Sequence, residues 1–158
     1  MKTKHFSRHR RHRLETQGLT GFTDQQLYDY QFGFRFAYAT CTLLVLIGII
    51  LKNLPLLITM MVIAFFGTLL PRHPLDYLYN HLVRHLIGKK EIPVRAAQAK
   101  FACAIATIWL GVTIYLFYVG LDFWAYVMGG ILVLIASLVS ILDFCIPSII
   151  YKYLFRKP

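Results

Sequence analysis

Three groups of residues in this chain have the types and spacing for chemistry. The first is Cys145-Ile146-Pro147-Ser148. A thiol three residues before a hydroxyl can serve as a single-thiol relay in thiol or sulfur transfer. A break at Pro147 would free backbone amides that favour the thiolate. The same cysteine reads equally as a small apolar residue, or as a juxtamembrane site of reversible acylation. The second group is His81 and His85, four residues apart on one helical face. That spacing suits two metal ligands, but a site needs three or four, so they are weak candidates. The third group is basic: Arg8, Arg10, Arg11 and Arg13 in the run RHRRHR, then Arg84, Lys89, Lys90 and Arg95. It suits anionic lipid headgroups or a partner surface. The arginines of the run repel cations, which counts against a metal site at its histidines. No cofactor-binding motif is present, and no cofactor is expected.

The elements that must position these groups are four apolar runs, at about residues 34–51, 54–70, 101–119 and 123–142. The chain has 158 residues, of which 58% are hydrophobic, too apolar for an ordinary soluble domain of this size. The second run holds 17 residues without a charge and spans about 26 Å as a helix, close to the hydrocarbon thickness. Lys52-Asn53-Leu54-Pro55 and Gly120-Leu121-Asp122 read as tight turns, so the runs pair into two hairpins. Between the hairpins, residues 74–87 place Leu75, Leu78, Tyr79, Leu82 and Leu86 on one helical stripe, with Asp76, Asn80, Arg84 and His85 largely opposite. This segment is too short and too polar to span, and reads as an interfacial amphipathic helix. The fold class is therefore an all-α membrane protein of four transmembrane helices in two hairpins, with that interfacial helix between them on the cytoplasmic side.

Charge supplies the orientation. Of 17 Lys and Arg residues, seven lie in residues 1–35, six in 71–100 and three in 151–158, while the short turns hold Lys52 alone. The positive-inside rule then places both termini in the cytoplasm. The net charge of +10 reports this orientation and attraction to anionic headgroups, not nucleic-acid binding. Residues 1–22 lack apolar periodicity and are expected to form a disordered basic arm, with the transmembrane domain occupying 23–158. Thr23 and Gln26 fit a capping box for a helix starting near Asp24. The first apolar run begins only at Phe36, so no cleavable signal peptide is expected. Arg35 and Asp143 fall at the cytoplasmic edge of the hydrocarbon, where water is expected to reach both. Cys41, Cys103 and Cys145 have no paired spacing and imply no disulfide framework, although Cys103 lies at a depth from which it could approach Cys145. Ala102/Ala106 and Ala136/Ser140 are small-xxx-small pairs suited to close packing of the third and fourth spans.

From His73 the chain reads HPLDYLYNHLVRHLIGKKEIPVRAAQAKFA, and near its end LDFCIPS. These stretches resemble the bacterial integral-membrane family described as domain of unknown function 4395. The matching positions are His73, Pro74, Asp76, Tyr79, Asn80, Pro93, Lys100, Phe101, Ala102 and Cys145, and the resemblance covers roughly residues 25–155. Many members of that family end in a Phe-Cys-x-x-Cys-like element. Here Ser148 stands in place of the second cysteine, which weakens any two-cysteine chemistry. The resemblance implies an architecture and a bacterial inner-membrane location, but no reaction.

The leading expectation is a non-enzymatic scaffold or assembly subunit of the inner membrane, with a basic cytoplasmic face that binds anionic lipid or a membrane-protein partner, or other copies of itself. The first alternative is a membrane thiol or sulfur-transfer enzyme using Cys145 with Ser148. The second is a small oligomeric carrier or channel.

Overall fold

The computed structural model describes residues 7–88 and 90–155, with Arg10 described by its backbone alone. The described residues form seven helices: α1 (Arg8–Thr16), α2 (Asp24–Ile50), α3 (Leu54–Leu69), α4 (Pro74–Ile87), α5 (Ala97–Tyr118), α6 (Asp122–Leu142) and α7 (Ile146–Leu154). Three of them, α2, α5 and α6, are long and apolar enough to cross a membrane. A fourth crossing is reached if α3 is joined to α4, which bends away from it by 86°.

Local chemistry sets the helix limits. The expected capping box starts α2: the Gln26 amide donates to Thr23 Oγ1, and the Thr23 amide donates to Gln26 Oε1 at 2.9 Å. Asn53 caps α3 by accepting from the Leu56 amide at 3.0 Å, with Pro55 in the first turn. Between them Lys52 turns the chain with φ at +48°. Its ammonium reaches Asp122 at the start of α6, 2.6 Å away, and so ties the two tight turns together.

Neighbouring helices close a ring: α2 packs on α3, α3 on α5, α5 on α6, and α6 back on α2. The shared core includes Val45, Ile49, Leu57, Met60, Leu110, Phe117, Ala125 and Leu132. The outer faces stay strongly apolar, with Leu43, Ile50, Ile108, Phe123, Leu134 and Ile141 exposed. So large an apolar surface is incompatible with water and suits hydrocarbon.

Two sequence expectations change here. The stretch expected as a disordered arm contains α1. Its Leu14 is buried with Leu19 and Leu27, so one apolar contact seats a helix that is otherwise polar. Arg13 Nη1 and Gln17 Nε2 then donate to the carbonyls of Leu142 and Asp143, which end α6. The helix at 74–87 is also less regular than expected. Tyr79–Val83 forms a π-turn, and the apolar stripe divides: Tyr79 is fully buried between α2 aromatics, while Leu78, Leu82 and Leu86 point outward. The polar side holding Asp76 and Asn80 faces the protein interior.

Candidate functional site

At the end of the bundle where α1, α4 and α7 gather, two polar locks fix the helices. The first is built on α4. His73 caps the helix, its Nδ1 accepting from the Leu75 amide at 3.3 Å, while the His73 amide donates to Asp76 Oδ2 at 3.0 Å. Pro74 occupies the first turn, where its missing amide costs nothing. Asp76 receives Arg95 in a two-pronged ion pair, from Nε at 2.5 Å and Nη2 at 2.6 Å. Both side chains are shut off from solvent, at 0% and 1% exposure. The Arg95 guanidinium also stacks against Phe34 and Tyr38, with centroids 5.1 and 4.8 Å away. Asn80 Oδ1 accepts from the Ile92 amide at 2.9 Å, folding residues 90–96 back along α4. Gly67 makes room for the imidazole, since a Cβ there would collide with the His73 ring.

The second lock ties α2 to the end of α6. Asp143 sits with φ at +54°, a strained backbone for a residue with a side chain. Its carboxylate accepts from Arg35 Nε and Nη2 at 2.8 and 2.7 Å and from Gln31 Nε2 at 2.5 Å. The strain is tolerated because the left-handed turn delivers the carboxylate to these donors. Asp143 is 3% exposed, so the expectation that water reaches it is overturned: Arg35 and Gln31 occupy the place water would take.

Above the locks lies an apolar cavity of about 200 Å³ between α2, α3, α5 and α6. All three cysteines, Cys41, Cys103 and Cys145, line it, together with Tyr38 and His73. The approach of Cys103 toward Cys145 is thus realised at the level of a common cavity, and all three thiols are free. Ala102, Ala106 and Ala136 also line it. The two helices that carry these small residues, α5 and α6, pack on each other. Trp109 donates to the Met128 carbonyl at 2.9 Å and braces α5 on α6 beside the cavity.

Cys145 precedes α7, whose first turn holds Pro147, so the break expected near that proline is present. Cys145 is nevertheless buried, and burial pushes its thiol up. A protonated thiol at neutral pH behaves as a small apolar group. Ser148 is buried beside it, and its hydroxyl and amide favour the thiolate, against the larger upward push of burial. His81 and His85 do not converge on other ligands. His81 Nδ1 bonds the Tyr77 carbonyl, and among the described residues no group of three His, Cys, Asp or Glu side chains could hold a metal.

The basic set divides as well. Arg8, Arg11 and Arg13 are exposed on α1, and Lys90 is exposed beyond α4. Arg11 pairs with Glu15 and Asp24, Arg84 with Glu91, and Lys90 with Asp29. Lys89 and the Arg10 side chain lie outside the described residues. Arg95 is not part of an exposed face. It is interior, because Asp76 and two aromatic rings supply the partners that water would otherwise provide.

A family model described as domain of unknown function (DUF4395) matches residues 31–156. The chain belongs to the DUF4395 family. No curated protein and no solved structure shows significant similarity to it. The DUF4395 match includes both locks and the cavity but not α1. Of the positions singled out in the sequence, His73, Pro74, Asp76 and Asn80 build the first lock, and Tyr79 packs beside it against Phe32 and Phe36. Phe101 stacks against Tyr151 and Phe155 and holds α7 onto α5. Lys100 is half-buried at the start of α5. Arg95, Arg35 and Gln31 escaped sequence reasoning as interior partners. The one available signal was the need of Asp76 and Asp143 for counter-charges inside an apolar bundle.

His73 gives this DUF4395 protein a defined acid response. Burial, aided by the Arg95 charge and opposed by Asp76, lowers its pKa to about 4 from an ordinary 6.5. The ring is neutral in the fold, as its role as an acceptor for Leu75 requires. Above pH 6.5 folded and unfolded chains bind no proton here, so nothing changes. Between 6.5 and 4 the unfolded chain takes up a proton that the fold refuses, and stability falls by up to about 3 kcal/mol. Thermal unfolding in detergent should therefore show a midpoint that drops across this window. His73→Asn, which keeps a capping acceptor, should flatten that drop. An equal drop in the variant would count against the assignment.

Proposed function

We propose that this DUF4395 chain is a four-span protein of the bacterial inner membrane, with both termini cytoplasmic. It acts there as a non-enzymatic scaffold or assembly subunit whose basic face binds anionic lipid or a membrane-protein partner. The supporting observation is the seating of α1. Leu14 and the contacts to the end of α6 hold a basic helix against the same end of the bundle as α4, residues 90–96 and α7. Arg8, Arg11 and Arg13 are presented there, while the opposite end carries the Lys52–Asp122 pair. In this reading α3, a helix of 16 residues and about 24 Å, makes the fourth crossing by itself although it is short for the hydrocarbon core, and α4 turns along the headgroups, its outward leucines toward the hydrocarbon edge.

A test is recruitment of phosphatidylglycerol vesicles by the protein held in neutral-lipid nanodiscs. Recruitment should weaken as salt rises. Deleting residues 2–13 should reduce it by more than about tenfold at low salt, at about 1 kcal/mol per basic residue lost. Salt-independent recruitment, or none, would sink the reading.

A second reading, a membrane thiol or sulfur-transfer enzyme using Cys145, draws support from the meeting of three cysteines at one cavity. Against it stands the burial that keeps the Cys145 thiol protonated. The carrier alternative gains less, since the cavity lining is almost wholly apolar and offers a polar solute no path.

A further inference from the structure

We propose that the groove between α1 and α7 is a site for one anionic phospholipid, whose phosphate is held by Arg13 and Lys152 with His12 beside them. This deepens the basic-face reading and rests on it. The groove encloses about 400 Å³, and its walls combine these three nitrogen-bearing side chains with Phe144, Ile149 and Tyr153. Arg13 comes from α1 and Lys152 from α7, so the two cations face a common space from opposite walls. Arg13 is already oriented, because Nη1 donates to the Leu142 carbonyl at 3.2 Å and leaves its other donors for a ligand. Asp143 is the acidic residue of the lining, and its carboxylate is engaged by Arg35 and Gln31.

The apolar half of the lining decides the ligand class. A free phosphate ion would contact the cations and leave Phe144, Ile149 and Tyr153 without a counterpart. A phosphate that carries hydrocarbon satisfies both kinds of wall. Cys145 lines this groove and also the apolar cavity inside the bundle. One thickness of side chain thus separates a headgroup position from an apolar interior, an arrangement suited to an amphiphile. The groove also lies at the end of the bundle where the basic segments gather, the level at which headgroups would be found.

Native mass spectrometry of the full chain, released from micelles containing phosphatidylglycerol, tests this. The wild type should carry a one-to-one phosphatidylglycerol adduct. The double variant Arg13→Gln/Lys152→Gln should lose roughly tenfold or more of that occupancy. Arg8→Gln/Lys90→Gln removes as much charge from the same face but outside the groove, and should retain the adduct. Equal loss in both variants would show diffuse attraction; the groove site would then be wrong while the basic-face reading survives. Absence of any adduct in the wild type would also overturn the site. Inorganic phosphate should displace the lipid poorly, and a short-chain phosphatidylglycerol well. If the bare ion competes equally, the site is one for phosphate and the phospholipid assignment fails. Thermal midpoints matching the wild type establish that the variants fold. Should the double variant unfold, Lys152→Gln alone, at an exposed position, carries the same comparison.

Discussion

Asp76→Ala is expected to destabilise the protein by about 3–5 kcal/mol, the usual cost of removing one partner from a buried ion pair. The substitution leaves the Arg95 guanidinium charged between Phe34 and Tyr38, in a position shut off from bulk solvent. It also removes the acceptor for the His73 amide and loosens the start of α4. Much of the loss is the penalty of an orphaned charge and not the net worth of the pair. The double variant Asp76→Leu/Arg95→Met, which removes both charges, should therefore recover much of it, less the lost acceptor for the His73 amide. Thermal unfolding in a single detergent, with the single and double variants side by side, reads this directly. A double variant as unstable as Asp76→Ala would show that the pair's geometry, and not its unpaired charge, dominates.

The second large effect is steric. Gly33→Ala should cost about 1–3 kcal/mol, the range for overpacking a filled core. A Cβ at Gly33 would lie 2.5 Å from Ile92 Cδ1 and 2.8 Å from Tyr79 Cε1. Both neighbours are fully buried, so neither has space to retreat. Gly130 is the control, since a Cβ there meets nothing within 4 Å. Gly130→Ala should be neutral, or stabilising by up to about 1 kcal/mol, because alanine loses less backbone freedom in a helix. Thermal midpoints that move equally for the two substitutions would contradict the packing described around Ile92.

The helices long and apolar enough to cross a membrane were legible because each is a long run nearly free of charge, and such a run announces itself in the sequence. Capping at Thr23 and the break near Pro147 were legible for a similar reason: each depends on residues within one turn of each other. The first lock was not. In water the apolar stripe of an amphipathic helix turns inward, and polar residues are left to the solvent. Here Leu82 and Leu86 are exposed instead, and the protein interior is the place where Asp76 and Asn80 find partners. A charge count groups Arg95 with the exposed basic residues, because it cannot distinguish an arginine that faces headgroups from one that faces a carboxylate 19 residues earlier. The seating of α1 escaped notice because it hangs on Leu14, one leucine in a polar run. The gathering of three thiols at one cavity depends on helix rotation, and spacing along the chain carries no record of it.

The order in which the paired groups leave the ribosome has a consequence for assembly. Asp76 is made with the first hairpin, and Arg95 follows 19 residues later, just ahead of the second. Neither residue can take its buried seat without the other, so α4 and the residues that lead into α5 settle together, and the arrangement around the first two long helices is completed only once residues 90–96 are in place.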